Sequence, residues 1–204
     1  MRILFQGDSI TDGGRERRDY HQMGASYPRY AAEAITAAHP ELQFEFINQG
    51  ISGNRTGQLF DRLWSDAISL NPDIISVLIG VNDIWHRHNH KVLTTDTQIE
   101  ANFTAILTAL RENTSAKIIV IAPYLLDHPN VEGMKSELKS VSEIIERVGK
   151  KYADAYVPLN EYFDEALKTQ PEQFYYSGDG VHPNENGARF IAEHYVRAIE
   201  PFIK

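Results

Sequence analysis

The chain has 204 residues, 42% of them apolar and 24% charged, which excludes disordered and fibrous classes and is enough to bury a core as one domain spanning residues 1–204. A formal net charge of -8 argues against a nucleic-acid partner, and the absence of cysteine removes disulfides, thiolate metal sites and a cysteine nucleophile. No run reaches the roughly 20 apolar residues of a membrane span, and no leader fits ahead of the serine at position nine, so a cytoplasmic protein is expected.

In chain order, Ile3-Leu4-Phe5 predicts a first strand that opens at once onto Gly7-Asp8-Ser9. The polar, glycine-flanked segment from Gly13 to Gly24 predicts a loop over the site. Its Arg15, Arg17, Arg18, Tyr20 and His21 read as a solvated surface that could greet a sugar or an anion. Phe44 to Ile47 predicts a second strand, followed by Asn48 to Arg55 with glycines at 50 and 53. Leu59, Leu63 and Ala67, with Phe60, Trp64 and Ile68, form a helical stripe in which Trp64 reads as core. Ile74 to Ile79 predicts a third strand, ending on Gly80-Val81-Asn82-Asp83.

The alternation of His86, His88 and His90 on an extended segment puts three rings on one side. With no carboxylate in the run, a solvated loop lining a cleft is the better reading than a metal site. Ile99, Phe103, Ile106, Leu107 and Leu110 predict a helix, and Ile118 to Ile121 a strand. Leu138, Val141, Ile145, Val148 and Tyr152 predict another helix, Ala155 to Val157 a strand, and Phe190 to Phe202 a last helix. Continuous apolar runs suit strands covered on both faces. The alternation therefore predicts an α/β fold, a three-layer α/β/α sandwich on a five-stranded parallel sheet, with ligands beyond the carboxyl ends of the strands.

Three islands carry the chemistry. A glycine at a strand exit permits a tight turn, and a serine opening a helix there gains from the helix's positive end, which suits Ser9 as nucleophile. The plainer alternative is that Ser9 or Thr11 only caps a helix. Asp179 and His182 are spaced so that the carboxylate can accept from one ring nitrogen while the other faces a serine, and Pro183 restrains the backbone of His182. Asn82, in a loop after a buried strand, can donate to an oxyanion, and Gly53 can supply a second N–H. Asp8 and Asp83 read as supports acting through hydrogen bonds. Trp85, Tyr27, Tyr175 and Tyr176 could stack on a sugar ring, Tyr27 equally as core. Neither a metal nor a cofactor is expected.

Gly7-Asp8-Ser9, Gly50-Ile51-Ser52-Gly53, Gly80-Val81-Asn82-Asp83 and Asp179-Gly180-Val181-His182-Pro183, in this order, closely resemble the four signature blocks of the SGNH (GDSL-type) hydrolases. The resemblance spans essentially the whole chain and departs from the namesake motif at Ile10, where leucine is usual. It implies a flavodoxin-like sandwich, a triad of Ser9, Asp179 and His182, and an oxyanion hole of Ser9, Gly53 and Asn82. Asp8, Asp83, Trp85 and Arg55 are expected to support the site or bind substrate. The blocks look most like those of intracellular acetylxylan esterases, which implies a carbohydrate ester substrate and allows a homo-oligomer. A lysophospholipase or thioesterase, a metallophosphoesterase and a non-catalytic sugar-binding module are the competing readings.

Overall fold

A computed structural model describes residues 1–172 and 174–204. Each of the five predicted apolar runs forms a strand, with only Phe44 and Ile79 falling just outside: β1 (Arg2–Gly7), β2 (Glu45–Gly50), β3 (Ile74–Leu78), β4 (Lys117–Ile121) and β5 (Ala155–Val157). They pair in parallel in the order β2-β1-β3-β4-β5. Every residue of β3 is buried, as a strand covered on both faces requires.

The chain runs from β1 outward to β2, then returns past β1 to β3. That reversal opens a crevice beside β1 at the carboxyl edge, where open α/β sheets bind ligands. Gly7 is in register with Gly50 on one side and Leu78 on the other. The segments that follow β1, β2 and β3 therefore leave the sheet side by side.

One face of the sheet is covered by α2 (Tyr27–Ala38) and α9 (Glu185–Ile199), around the buried rings of Phe5, Tyr27 and Tyr195. Tyr27 thus belongs to the core. The other face carries α3 (Thr56–Asp61), α4 (Leu63–Asp66), α6 (Asp96–Asn113) and α7 (Lys135–Tyr152), over a second apolar cluster. At the strand exits lie α1 (Ser9–Asp12), α5 (Val81–Asn89) and α8 (Leu159–Thr169). Among the described residues no helix is long and apolar enough to cross a membrane.

Four expectations are corrected. Trp64 is not core: it is 63% exposed and Phe60 is 42% exposed, whereas Leu59, Leu63 and Ala67 are buried. The expected helix is broken at Arg62 into α3 and α4, so the 59/63/67 row and Ile68 face the sheet while Phe60 and Trp64 do not. The His86–His90 segment is not extended but lies in α5 and its C-terminal cap. There His86 and His90, four apart, share a face with ring centroids 4.9 Å apart, while His88 turns to Glu137 at 2.5 Å. Arg15 is not solvated: it is 6% exposed and donates to Gly50 O from Nε and Nη2.

Candidate active site

β1 ends at Gly7, and Asp8 caps the single turn of α1 by accepting from the Ile10 N–H at 3.0 Å. The cap is therefore Asp8 rather than Ser9 or Thr11, and the serine hydroxyl is left for another partner. A four-residue helix has little dipole, so the helix field at Ser9 is weaker than expected from the sequence.

Ser9 Oγ lies 2.9 Å from His182 Nε2, and His182 Nδ1 lies 2.7 Å from Asp179 Oδ2. Asp179 Oδ1 accepts the N–H groups of Val181 at 2.9 Å and His182 at 2.8 Å, so carboxylate and imidazole are fixed within one turn. Ser177 braces that turn, donating to His182 O at 2.7 Å and accepting from the Gly180 N–H at 3.0 Å. Partial burial pushes the Asp179 carboxyl up, but the His182 ring and the two N–H donors outweigh it and hold it at about 2. An ionised carboxylate only accepts, so Nδ1 carries the ring proton and Nε2 is the acceptor facing Ser9.

The segment after β2 turns on itself, with the Asn54 N–H donating to Ile51 O at 3.1 Å. Gly53 sits in this turn at φ 83°, a region that L side chains avoid. Asn82 is in the first turn of α5 rather than in a loop, 7% exposed, and donates from Nδ2 to Asn54 O at 3.1 Å. One of its amide hydrogens is thereby spoken for.

Asp83, fully buried, accepts from Thr56 N at 3.0 Å and Thr56 Oγ1 at 2.9 Å, fastening α5 to α3. Burial pushes its carboxyl up against those two bonds. Asp12 does the same between α1 and the Gly53 turn. Its Oδ2 accepts from Ser52 N at 2.9 Å and Ser52 Oγ at 3.0 Å, and pairs with Arg17. The backbones meet closely here: a Cβ on Gly50 would stand 2.2 Å from Asp12 N.

The Asp8 side chain is enclosed, with Oδ2 unpartnered among the described residues, and burial raises its carboxyl to about 7 against the Ile10 N–H and the nearby His182 ring. Trp85 is half-buried and packs on both apolar clusters. Arg55 caps α3 through Gln58 and reaches Thr94 Oγ1 at 3.4 Å. Tyr176 is 9% exposed within the core, while Tyr175 packs on its edge. Among the described residues no group of three His, Cys, Asp or Glu side chains is arranged to hold a metal ion.

Asp12, Ser52, Thr56, Ser177 and Arg62 were not singled out from the sequence. Asp12 and Ser52 sit inside the motif blocks and could have been read there. Thr56 and Arg62 carry no such signal, because Asp83, Gln6 and Gly7, which they bond, are distant in the chain. The Ser177 hydroxyl bonds within five residues of itself, in the turn that also holds Asp179 and His182.

Fold and relatives together define a carboxylic ester hydrolase. The chain matches the GDSL-like lipase/acylhydrolase family over residues 5–190 and belongs to it. It is 29% identical over 206 residues to an acetylxylan esterase of Geobacillus stearothermophilus, covering 97% of this chain and 93% of that protein. A crystal structure of that acetylxylan esterase superposes with a TM-score of 0.87 at 27% identity, over 96% of this chain and 92% of the other. A GDSL-like lipase candidate from Parabacteroides merdae superposes with a TM-score of 0.92 at 33% identity, over 98% and 95% of the two chains. An arylesterase of Vibrio mimicus is 25% identical over 195 residues, 94% of this chain and 84% of that one.

Proposed function

We propose that this esterase removes short acyl groups, chiefly acetyl, from carbohydrates such as xylo-oligosaccharides, through a covalent acyl-serine. The observation that carries the reading is the line of Ser9, His182 and Asp179, with contacts of 2.9 Å and 2.7 Å. His182 Nε2 takes the proton of Ser9 Oγ as that oxygen attacks the ester carbonyl. The N–H groups of Ser9 and Gly53 and the second amide hydrogen of Asn82 hold the tetrahedral oxyanion. His182 then protonates the departing alcohol. Water, deprotonated by the same nitrogen, attacks the acyl-serine and releases the acid. Asp179 keeps the ring in the correct tautomer and stabilises its cation.

Two points support a sugar acetyl ester. The acetylxylan esterase of G. stearothermophilus aligns over nearly the whole chain, and two catalytic mutants of that enzyme carry alanine in place of a serine and of a histidine. Beside the Gly53 turn, a cleft of about 260 Å³ is lined by Arg55, Gln58, Asp61, Thr94, Gln98 and Asn102, side chains that suit hydroxyl groups. A longer acyl or aryl ester is favoured by a different feature. A cleft of about 250 Å³ beside the Asp179 turn is lined by Leu126, Leu167, Phe174, Tyr175 and Tyr176.

Turnover of acetylated xylo-oligosaccharides beside p-nitrophenyl esters from acetate to palmitate separates these readings. The acetyl substrates should dominate, and Ser9→Ala should abolish all of it without changing the unfolding transition. A fully active Ser9→Ala protein refutes the mechanism, and a preference for palmitate refutes the substrate class.

A further inference from the structure

Arg62 is the residue that interrupts α3 and α4, and its side chain is only 13% exposed. Its guanidinium reaches five acceptors. Nε donates to Asn54 Oδ1 at 2.7 Å. Nη1 donates to Gln6 Oε1 at 2.7 Å, Gln49 O at 2.8 Å and Asp66 Oδ2 at 3.1 Å. Nη2 donates to Gly7 O at 2.9 Å. Three of these acceptors belong to the strand exits of β1 and β2, and a fourth to the turn that carries Gly53.

A buried cation with a single carboxylate partner is poorly explained by stability alone, since well-packed apolar side chains often serve a fold as well. A rigid planar fork that donates in several fixed directions is what ties three backbone segments into one geometry. Asn54 is the joint. Its side chain accepts from Arg62, its N–H closes the turn onto Ile51, and its carbonyl accepts from Asn82 Nδ2 at 3.1 Å. The connection thus runs unbroken from Arg62 through Asn54 to Asn82, with Gly53 attached to the same joint.

We propose that Arg62 is a positioning residue of the oxyanion site, acting through Asn54 to aim the Asn82 amide and the Gly53 N–H at one point. The inference rests on the oxyanion role proposed above for those two groups. The hydrogen bonds of Arg62 go to Asn54, Gln6, Gln49, Asp66 and Gly7 rather than to Ser9 or His182, so its loss should lower kcat and leave KM nearly unchanged.

The test is a double-mutant cycle on p-nitrophenyl acetate with Arg62→Met, Asn54→Ala and Asn82→Ala. Loss of one oxyanion donor costs about 100-fold, and misaiming by a fraction of an ångström costs about 30-fold. If Arg62 acts through Asn82, Arg62→Met combined with Asn82→Ala loses about 300-fold rather than the roughly 3,000-fold product. Asn54→Asp, which keeps an acceptor oxygen for Nε, should recover most of what Asn54→Ala loses. Multiplicative losses, or a kcat unchanged in Asn54→Ala, overturn the proposal. Should Arg62→Met fail to fold, the Asn54 pair decides alone. If Ser9→Ala and Asn82→Ala retain wild-type turnover, it is the underlying mechanism that fails, and that result is distinct from multiplicative losses in an otherwise responsive enzyme.

Discussion

Replacing Asp8 by asparagine isolates the energetic cost of keeping a buried carboxyl next to Ser9. The Asp8 side chain is fully enclosed, and burial raises its carboxyl from an ordinary 3.8 to about 7. In the folded chain it therefore keeps a proton that the unfolded chain has already released. The stability this contributes is complete below about pH 4 and is lost as pH rises through about 7. At about 1.4 kcal/mol per pH unit, wild-type protein gives up about 3 kcal/mol from this group between pH 5 and pH 9. The amide in Asp8→Asn has no proton to lose and keeps the oxygen that caps α1 through the Ile10 N–H. The buried amide hydrogens it introduces cost about 1–3 kcal/mol at every pH alike. Other groups facing Asp8, namely Asp83, His182, Arg62, Tyr27 and Tyr124, are common to both proteins. Urea unfolding followed at each pH should show the stability of the variant rising relative to wild type by about 3 kcal/mol from pH 5 to pH 9. A difference that stays flat within about 0.5 kcal/mol over that range refutes the reasoning, since it means the carboxylate is ionised at no cost in the fold.

Three further outcomes are expected. In Asp179→Asn the amide can still accept from Val181 and His182 N–H groups but donates toward the ring, forcing the wrong tautomer. Its kcat should fall about 10⁴-fold with the fold intact, and a loss under about tenfold in steady-state assays refutes the orienting role. Gly50→Ala brings a Cβ within 2.2 Å of Asp12 N. It should destabilise by about 3 kcal/mol in urea and lower activity with it, because backbone on both sides must shift; an unchanged midpoint contradicts the close approach. Trp64→Ala should change stability by about 0.5 kcal/mol or less despite the size of the side chain, whereas Phe163→Ala, at 1% exposure, should cost about 3–5 kcal/mol. Equal shifts in melting would mean that Trp64 is covered in solution.

The apolar runs at 3–5, 74–79 and 118–121 were legible as parallel strands because a strand buried on both faces leaves a continuous mark in the chain. The Asp179 and His182 pair was legible for a related reason: its geometry lies within a single turn. Helices were less legible where the stripe was thin. In α2, Tyr27, Ala31 and Ile35 are the buried face of a segment diluted by alanine, and α8 presents only Leu159 and Phe163. The histidines at 86, 88 and 90 misled because alternation looks the same on paper whether the backbone is extended or wound. Strand–helix alternation, the motif blocks and their order were thus determined by local chemistry, which periodicity and spacing record. Which backbone segments approach within bonding range, that Arg62 and Asp12 pin the Gly53 turn, and that Asp8 is enclosed were decided only by the tertiary structure. Those contacts join residues tens of positions apart, and their energies come from burial and directed hydrogen bonds that no local pattern encodes.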